Sequence, residues 1–181
     1  MPRFVVLLRG VNVGKGNRVP MAEFRQLLED LGATEVKTLL NSGNAVFSSP
    51  ARSGPRLAAA IAEALAKRLG VVTPVVVKTA AEFARIVDGV PGQPPEGEHS
   101  RFLVAFGADE AALQALQPLV PLASGGERLV ITPQAAYLHC PGGLLESAVG
   151  EAMLGKAGRG VTTRNWATVL KIAALLPRAG A

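Results

Sequence analysis

The chain has 181 residues, 49% hydrophobic and 18% charged, enough to bury a sizeable core as one large domain or two small ones. The apolar run from Phe4 to Leu8 is too short for a signal-peptide core, no segment approaches the roughly 20 apolar residues of a membrane span, and the single cysteine, Cys140, excludes an internal disulfide. A cytoplasmic protein without a membrane partner is expected, and the net charge of +5 directs attention to anionic ligands.

In chain order, Phe4 to Leu8 reads as a strand buried on both faces. Met21, Phe24, Leu27, Leu28 and Leu31 then form a helical stripe between Pro20 and Gly32. Val36 to Leu40 and Ala45 to Phe47 flank Asn41-Ser42-Gly43-Asn44, residues that tolerate the left-handed conformations of a tight hairpin. Leu57, Ile61, Leu65 and Leu69 recur every fourth residue from Pro55 to Gly70, and Val75 to Val77 make a further strand. This half reads β-α-β-β-α-β, the ferredoxin-like order. Thr79 with Glu82 offers a capping box for one more helix carrying Phe83, Ile86 and Val87.

Pro, Gly and charge dominate the next stretch, so residues 89–100 read as an exposed linker between halves spanning 1–88 and 101–181. Beyond it come a strand, Phe102 to Phe106, and a helix with Leu113 and Leu116. Strands Leu129 to Ile131 and Tyr137 to His139 follow, then a helix from about Leu144 to Leu154. With Gly160 to Thr162 as a short closing strand, the order repeats and ends in a helix from Thr163 to about Leu176. The expected class is therefore α+β: two ferredoxin-like halves, each followed by an extra helix.

The segment from Leu7 to Met21 is an apolar strand running into a basic loop rich in glycine and asparagine, then a helix. It is not a nucleotide P-loop: Gly10 and Gly14 enclose three residues instead of four, and Gly16 stands where a metal-binding hydroxyl is needed. A dinucleotide fingerprint starting at Gly14 and Gly16 would put Val19 at its third glycine. Two readings stand: an anion cradle of glycine-freed amides beside Arg9, Lys15 and Arg18, or a polar turn with solvated charges. In a ferredoxin-like sheet the first two strands are parallel, so this loop and the hairpin from Asn41 to Asn44 are expected at one end of the sheet.

Arg9-Gly10-Val11-Asn12-Val13-Gly14 with Met21, Asn41-Ser42-Gly43-Asn44 before Val46-Phe47, and Thr163-Arg164-Asn165-Trp166 with Leu170-Lys171 resemble the marks of the bacterial family catalogued as domain of unknown function 1697. The resemblance runs from Phe4 to about Leu176 and is weakest in the Pro/Gly-rich middle. It implies a fold and a set of signature positions, and no reaction.

Residues 1–90 hold 12 Lys/Arg against 7 Asp/Glu, whereas residues 91–181 hold 7 of each. After Glu151, Lys156, Arg159, Arg164, Lys171 and Arg178 meet no acid in sequence, and a helix beginning near Thr163 would add its positive end. The candidate ligand-binding residues are thus Arg9, Gly10, Asn12, Gly14, Lys15 and Asn17, with Asn41, Ser42 and Asn44 from the hairpin and Arg164 and Asn165 from the last motif. The leading expectation is a site for a small phosphate- or carboxylate-bearing ligand, whether for binding or catalysis. A nucleic-acid-binding module ranks below it, because the doubly apolar first strand leaves no bare aromatic face and aromatics make up only 4% of the chain. A self-associating interaction module is the third reading. No metal site or Cys/His pair is expected at His139-Cys140, where neighbouring strand residues face opposite ways, and Trp166 fits a core position with Val169, Leu170 and Ala173.

Overall fold

A computed structural model describes residues 1–177. The chain divides into two compact units, Met1–Ala84 with the described part of Ile172–Ala181, and Arg85–Lys171. Each is taken by itself.

The first unit runs β1 (Arg3–Leu8), α1 (Met21–Asp30), β2 (Thr34–Leu39), β3 (Asn44–Ser48), α2 (Gly54–Leu69) and β4 (Val75–Thr79). Its four strands lie in the order β2-β3-β1-β4, each adjacent pair antiparallel. That is the ferredoxin-like arrangement read from the sequence. Phe4, Val6 and Leu8 of β1 share a core with Phe24, Leu27 and Leu28 of α1 and Ile61 and Leu65 of α2. Val5 and Leu7 project from the opposite face of the strand and are also buried, as its unbroken apolar run requires. Helix α2 starts where the Ser53 side chain accepts the Arg56 N–H at 3.3 Å and stops at left-handed Gly70, with Lys67 and Arg68 in its negatively polarised last turn. The capping box also forms: Thr79 N–H donates to Glu82 Oε2 at 2.7 Å, Glu82 N–H donates to Thr79 Oγ1 at 3.1 Å, and α3 (Ala80–Asp88) begins there.

In the second unit a 3₁₀ turn, Glu96–Arg101, leads into β5 (Phe102–Gly107), followed by α4 (Glu110–Gln114), β6 (Arg128–Ile131), β7 (Ala136–His139), α5 (Ala148–Leu154), β8 (Val161–Asn165) and α6 (Trp166–Ala173). The strand order β6-β7-β5-β8 repeats that of the first sheet. Leu103, Ala105 and Leu138 pack with Leu113, Val149 and Met153 to form the core on the helical side.

Four elements differ from the sequence expectation. The helix through Leu116 stops at Gln114 and continues as a 3₁₀ turn, Gln117–Leu122, because Pro118 and Pro121 lack the amide hydrogens a regular helix needs. The expected helix from Leu144 begins four residues later. Ser147 caps it, its hydroxyl accepting the Gly150 N–H at 3.0 Å. The closing strand extends to Asn165, and the last helix starts at Trp166 instead of Thr163. Val161, Thr162 and Thr163 are β-branched and pair with β5, and Asn165 Oδ1 then accepts the Thr168 N–H at 2.9 Å to open the helix. Arg178 lies outside the described residues.

Candidate functional site

Because β1 and β2 both run antiparallel to β3, they are parallel to each other. The loop leaving β1 and the hairpin leaving β2 therefore share one end of the first sheet. Leu8 N–H donates to Gly43 O at 2.9 Å, and Asn12 Nδ2 donates to Asn41 O at 2.7 Å. Gly43 makes this approach feasible: its φ is +83°, and a Cβ there would stand 2.7 Å from both Leu8 Cβ and Val11 Cγ2.

Asn12 ties the loop together. Its Nδ2 also donates to Val19 O at 2.8 Å, its Oδ1 accepts the Val19 N–H at 2.9 Å, and its own N–H donates to Asn17 O at 3.0 Å. Three of the four hydrogen-bonding positions of its amide are thus occupied inside the protein. Asn12 holds φ at +57° and Asn17 at +51°, left-handed values that asparagine accepts more readily than most residues. Val11 and Val19 are buried and anchor the two ends, Arg18 Nη2 donates to Gly14 O at 2.5 Å, and the Thr73 hydroxyl and Arg9 N–H fix the start through Arg9 O and Pro74 O. Asn44 is buried, with Nδ2 donating to Leu39 O and Ser42 Oγ, both at 2.8 Å.

Of the sequence-derived candidates, Arg9, Gly10, Asn12, Gly14, Lys15, Asn17, Asn41, Ser42 and Asn44 gather at this end of the sheet. Asn12 and Asn44 act there as internal braces. Gly10, Gly14, Lys15, Asn17, Asn41 and Ser42 are exposed, and Lys15 has no hydrogen-bond or ion-pair partner among the described residues.

Arg164 and Asn165 belong to the second unit and sit in β8, not on a helix. The Arg164 guanidinium is deeply buried, donating to Thr162 Oγ1 at 2.7 Å and Thr163 O at 2.8 Å. Burial pulls its pKa down to about 10, so it stays cationic at neutral pH.

The second unit holds a cavity that the sequence reading does not contain. On the sheet face opposite α4 and α5, Phe102 of β5, Arg128 and Val130 of β6, and Tyr137 and His139 of β7 floor a cavity of about 180 Å³, walled by residues 91–95. The Tyr137 hydroxyl donates to Ile86 O at 2.6 Å, and burial raises its pKa to about 12. The Phe102 ring meets Trp166 edge-on at 5.7 Å, and His139 Nε2 lies 3.3 Å from Glu98 Oε2. The one available signal was the alternation in Ala136-Tyr137-Leu138-His139. By composition alone the proline-rich wall reads as linker. Next to His139, the Cys140 thiol is buried and donates to Arg101 O at 3.3 Å, with burial pushing its pKa up, away from the reactive thiolate.

Among the described residues, no helix is long and apolar enough to cross a membrane. None of the curated proteins matches the chain. The solved structure of a conserved bacterial protein from Streptococcus pneumoniae is similar over 97% of this chain and 99% of its own, at 24% identity and a TM-score of 0.77, a likeness of fold. The family described as protein of unknown function (DUF1697) matches residues 1–137, covering the first two of the three motifs that carried the resemblance. With three-quarters of its length matched, the chain belongs to that family.

Proposed function

We propose that the β1–α1 loop, with the hairpin from Leu40 to Gly43, binds a small anionic ligand carrying a phosphate or carboxylate. The observation that carries this reading is an internal one. The second unit connects its first strand to its first helix with two residues, Ala108 and Asp109, while the first unit takes twelve, Arg9 to Pro20. The topology needs the shorter connection only: such connections usually take two to six residues, and structureless loops that reach about twelve are uncommon and often functional. The extra length is also stiffened by Asn12 and Arg18, so exposed backbone amides and Lys15 are presented on a preorganised frame.

Electrostatics point the same way. No Asp or Glu occurs in residues 1–22 or 36–62, so both segments meeting at this end bring cations without carboxylates. A field of one sign over this loop attracts anions. Nucleic acid is less favoured because the aromatic residues of the first sheet, Phe4 and Phe47, are buried in the core and give no stacking face beside the loop.

Calorimetric titration with inorganic phosphate, adenosine monophosphate and a short single-stranded RNA tests the reading. The expected result is saturable binding of a small anion, weakened about tenfold in Lys15→Ala, whose melting temperature stays close to wild type because the side chain is exposed. Small-anion binding that Lys15→Ala leaves intact would refute the assignment. Tight RNA binding with a steep salt dependence would replace it with the nucleic-acid reading.

A further inference from the structure

We propose that the cavity on the second sheet is a separate binding site for a small planar carboxylate, a single aromatic or heteroaromatic ring bearing one acid group. Size sets the first limit. An apolar cavity of about 150 Å³ accepts benzene, so the 180 Å³ here suits one substituted ring.

The walls set the second. Phe102, Tyr137 and Val130 supply an apolar floor, and Pro91, Pro94 and Pro95 an apolar side. Such surfaces take the face or edge of a ring. They are held in place before any ligand arrives. Proline fixes φ along the wall, Pro95 O accepts the Glu98 N–H at 2.8 Å, Tyr137 is tethered to Ile86 O, and Trp166 packs against Phe102. A preformed cavity avoids the ordering cost that weakens small-ligand binding.

Charge sets the third. Arg128 stands on the edge strand β6, exposed at the rim, its guanidinium with no hydrogen-bond or ion-pair partner among the described residues. Its planar fork matches a carboxylate through two parallel hydrogen bonds. The nearby acid, Glu98, already faces His139 at 3.3 Å and Arg101 at 3.6 Å. One unmatched guanidinium beside an already paired carboxylate fits a monoanion better than a phosphate dianion.

Benzoate is the probe, followed by amide chemical shifts in ¹H–¹⁵N spectra of the full chain, with benzyl alcohol and phenyl phosphate for comparison. Saturable shifts are expected at Gly92, Gln93, Phe102, Tyr137 and His139, with benzoate binding more tightly than either relative. Arg128→Ala should weaken benzoate about tenfold and leave benzyl alcohol unchanged. Val130→Phe should fill the cavity and abolish both, and Lys15→Ala, in the other unit, should change neither. Absent or scattered benzoate shifts, or equal benzoate affinity in wild type and Arg128→Ala, would overturn the proposal.

Discussion

The two units use one topology and differ in the length of their first strand-to-helix loop and in the aromatic content of one sheet face. In the first, the sheet face away from its helices carries Val5, Leu7, Val46 and Val76 beside Arg3, Lys37, Asn44, Ser48 and Lys78, with no aromatic ring among its paired residues, and a twelve-residue polar loop stands at the sheet's end. In the second, the equivalent loop has shrunk to Ala108 and Asp109, and the corresponding face carries Phe102, Tyr137 and His139 with Arg128 and Arg164. The β-α-β-β-α-β order fixes which loops are neighbours and which residues share a face. It leaves open whether chemistry is built at the sheet's end or on its surface.

The comparison breaks most sharply at the hairpins. Both have four residues between strands, Leu40 to Gly43 and Thr132 to Ala135, but their last positions are not equivalent. Gly43→Ala would force a Cβ into Leu8 and Val11 at a left-handed φ and should destabilise the protein by about 3 kcal/mol, as read by chemical denaturation. At Ala135, which lies outside the left-handed region, the reverse change Ala135→Gly should cost only about 1 kcal/mol.

The strand-to-helix connections offer a second, smaller contrast. Asn12→Ala removes three side-chain hydrogen bonds and an asparagine suited to its left-handed φ, an expected loss of about 2 kcal/mol together with the proposed anion binding. Asp109→Ala in the short connection removes a single helix cap, the Ala112 N–H bond at 2.8 Å, and should cost about 1 kcal/mol. Equal losses at the two positions would contradict the bracing role given to Asn12.

The third contrast lies in alkaline pH. Burial raises the Tyr137 pKa to about 12, above the value near 10 of an unfolded tyrosine. Below pH 10 both states keep the proton and its titration adds no pH dependence. Between pH 10 and 12 the unfolded chain releases the proton while the folded chain retains it, so stability falls as pH rises. Tyr137→Phe should flatten this part of a plot of melting temperature against pH, and a wild-type slope that persists in the variant would point to other groups.

Much of this was legible in the residues themselves. The apolar run Phe4 to Leu8, the fourfold spacing from Leu57 to Leu69 and the Thr79–Glu82 box are local signals, and each element formed where its pattern lay. The starts of α5 and α6 were less legible because Ser147 and Asn165 set them through side-chain hydrogen bonds. Apolar periodicity does not register such bonds. The roles of Asn12 and Asn44 were hidden for a related reason: an asparagine that braces a loop and one that binds a ligand occupy the same kind of turn. The second-sheet cavity was masked because Phe102 to Phe106 is apolar on both faces, and its aromatic side did not stand out from its aliphatic one.

If the first unit's long loop exceeds what the fold requires because it serves an anion, amide chemical shifts recorded while inorganic phosphate is added at constant ionic strength will saturate in residues 10–18 and 41–43, with residues 108 and 109 of the short connection unmoved. Uniform weak shifts across both units, or none in the long loop, would show that the loop holds no anion.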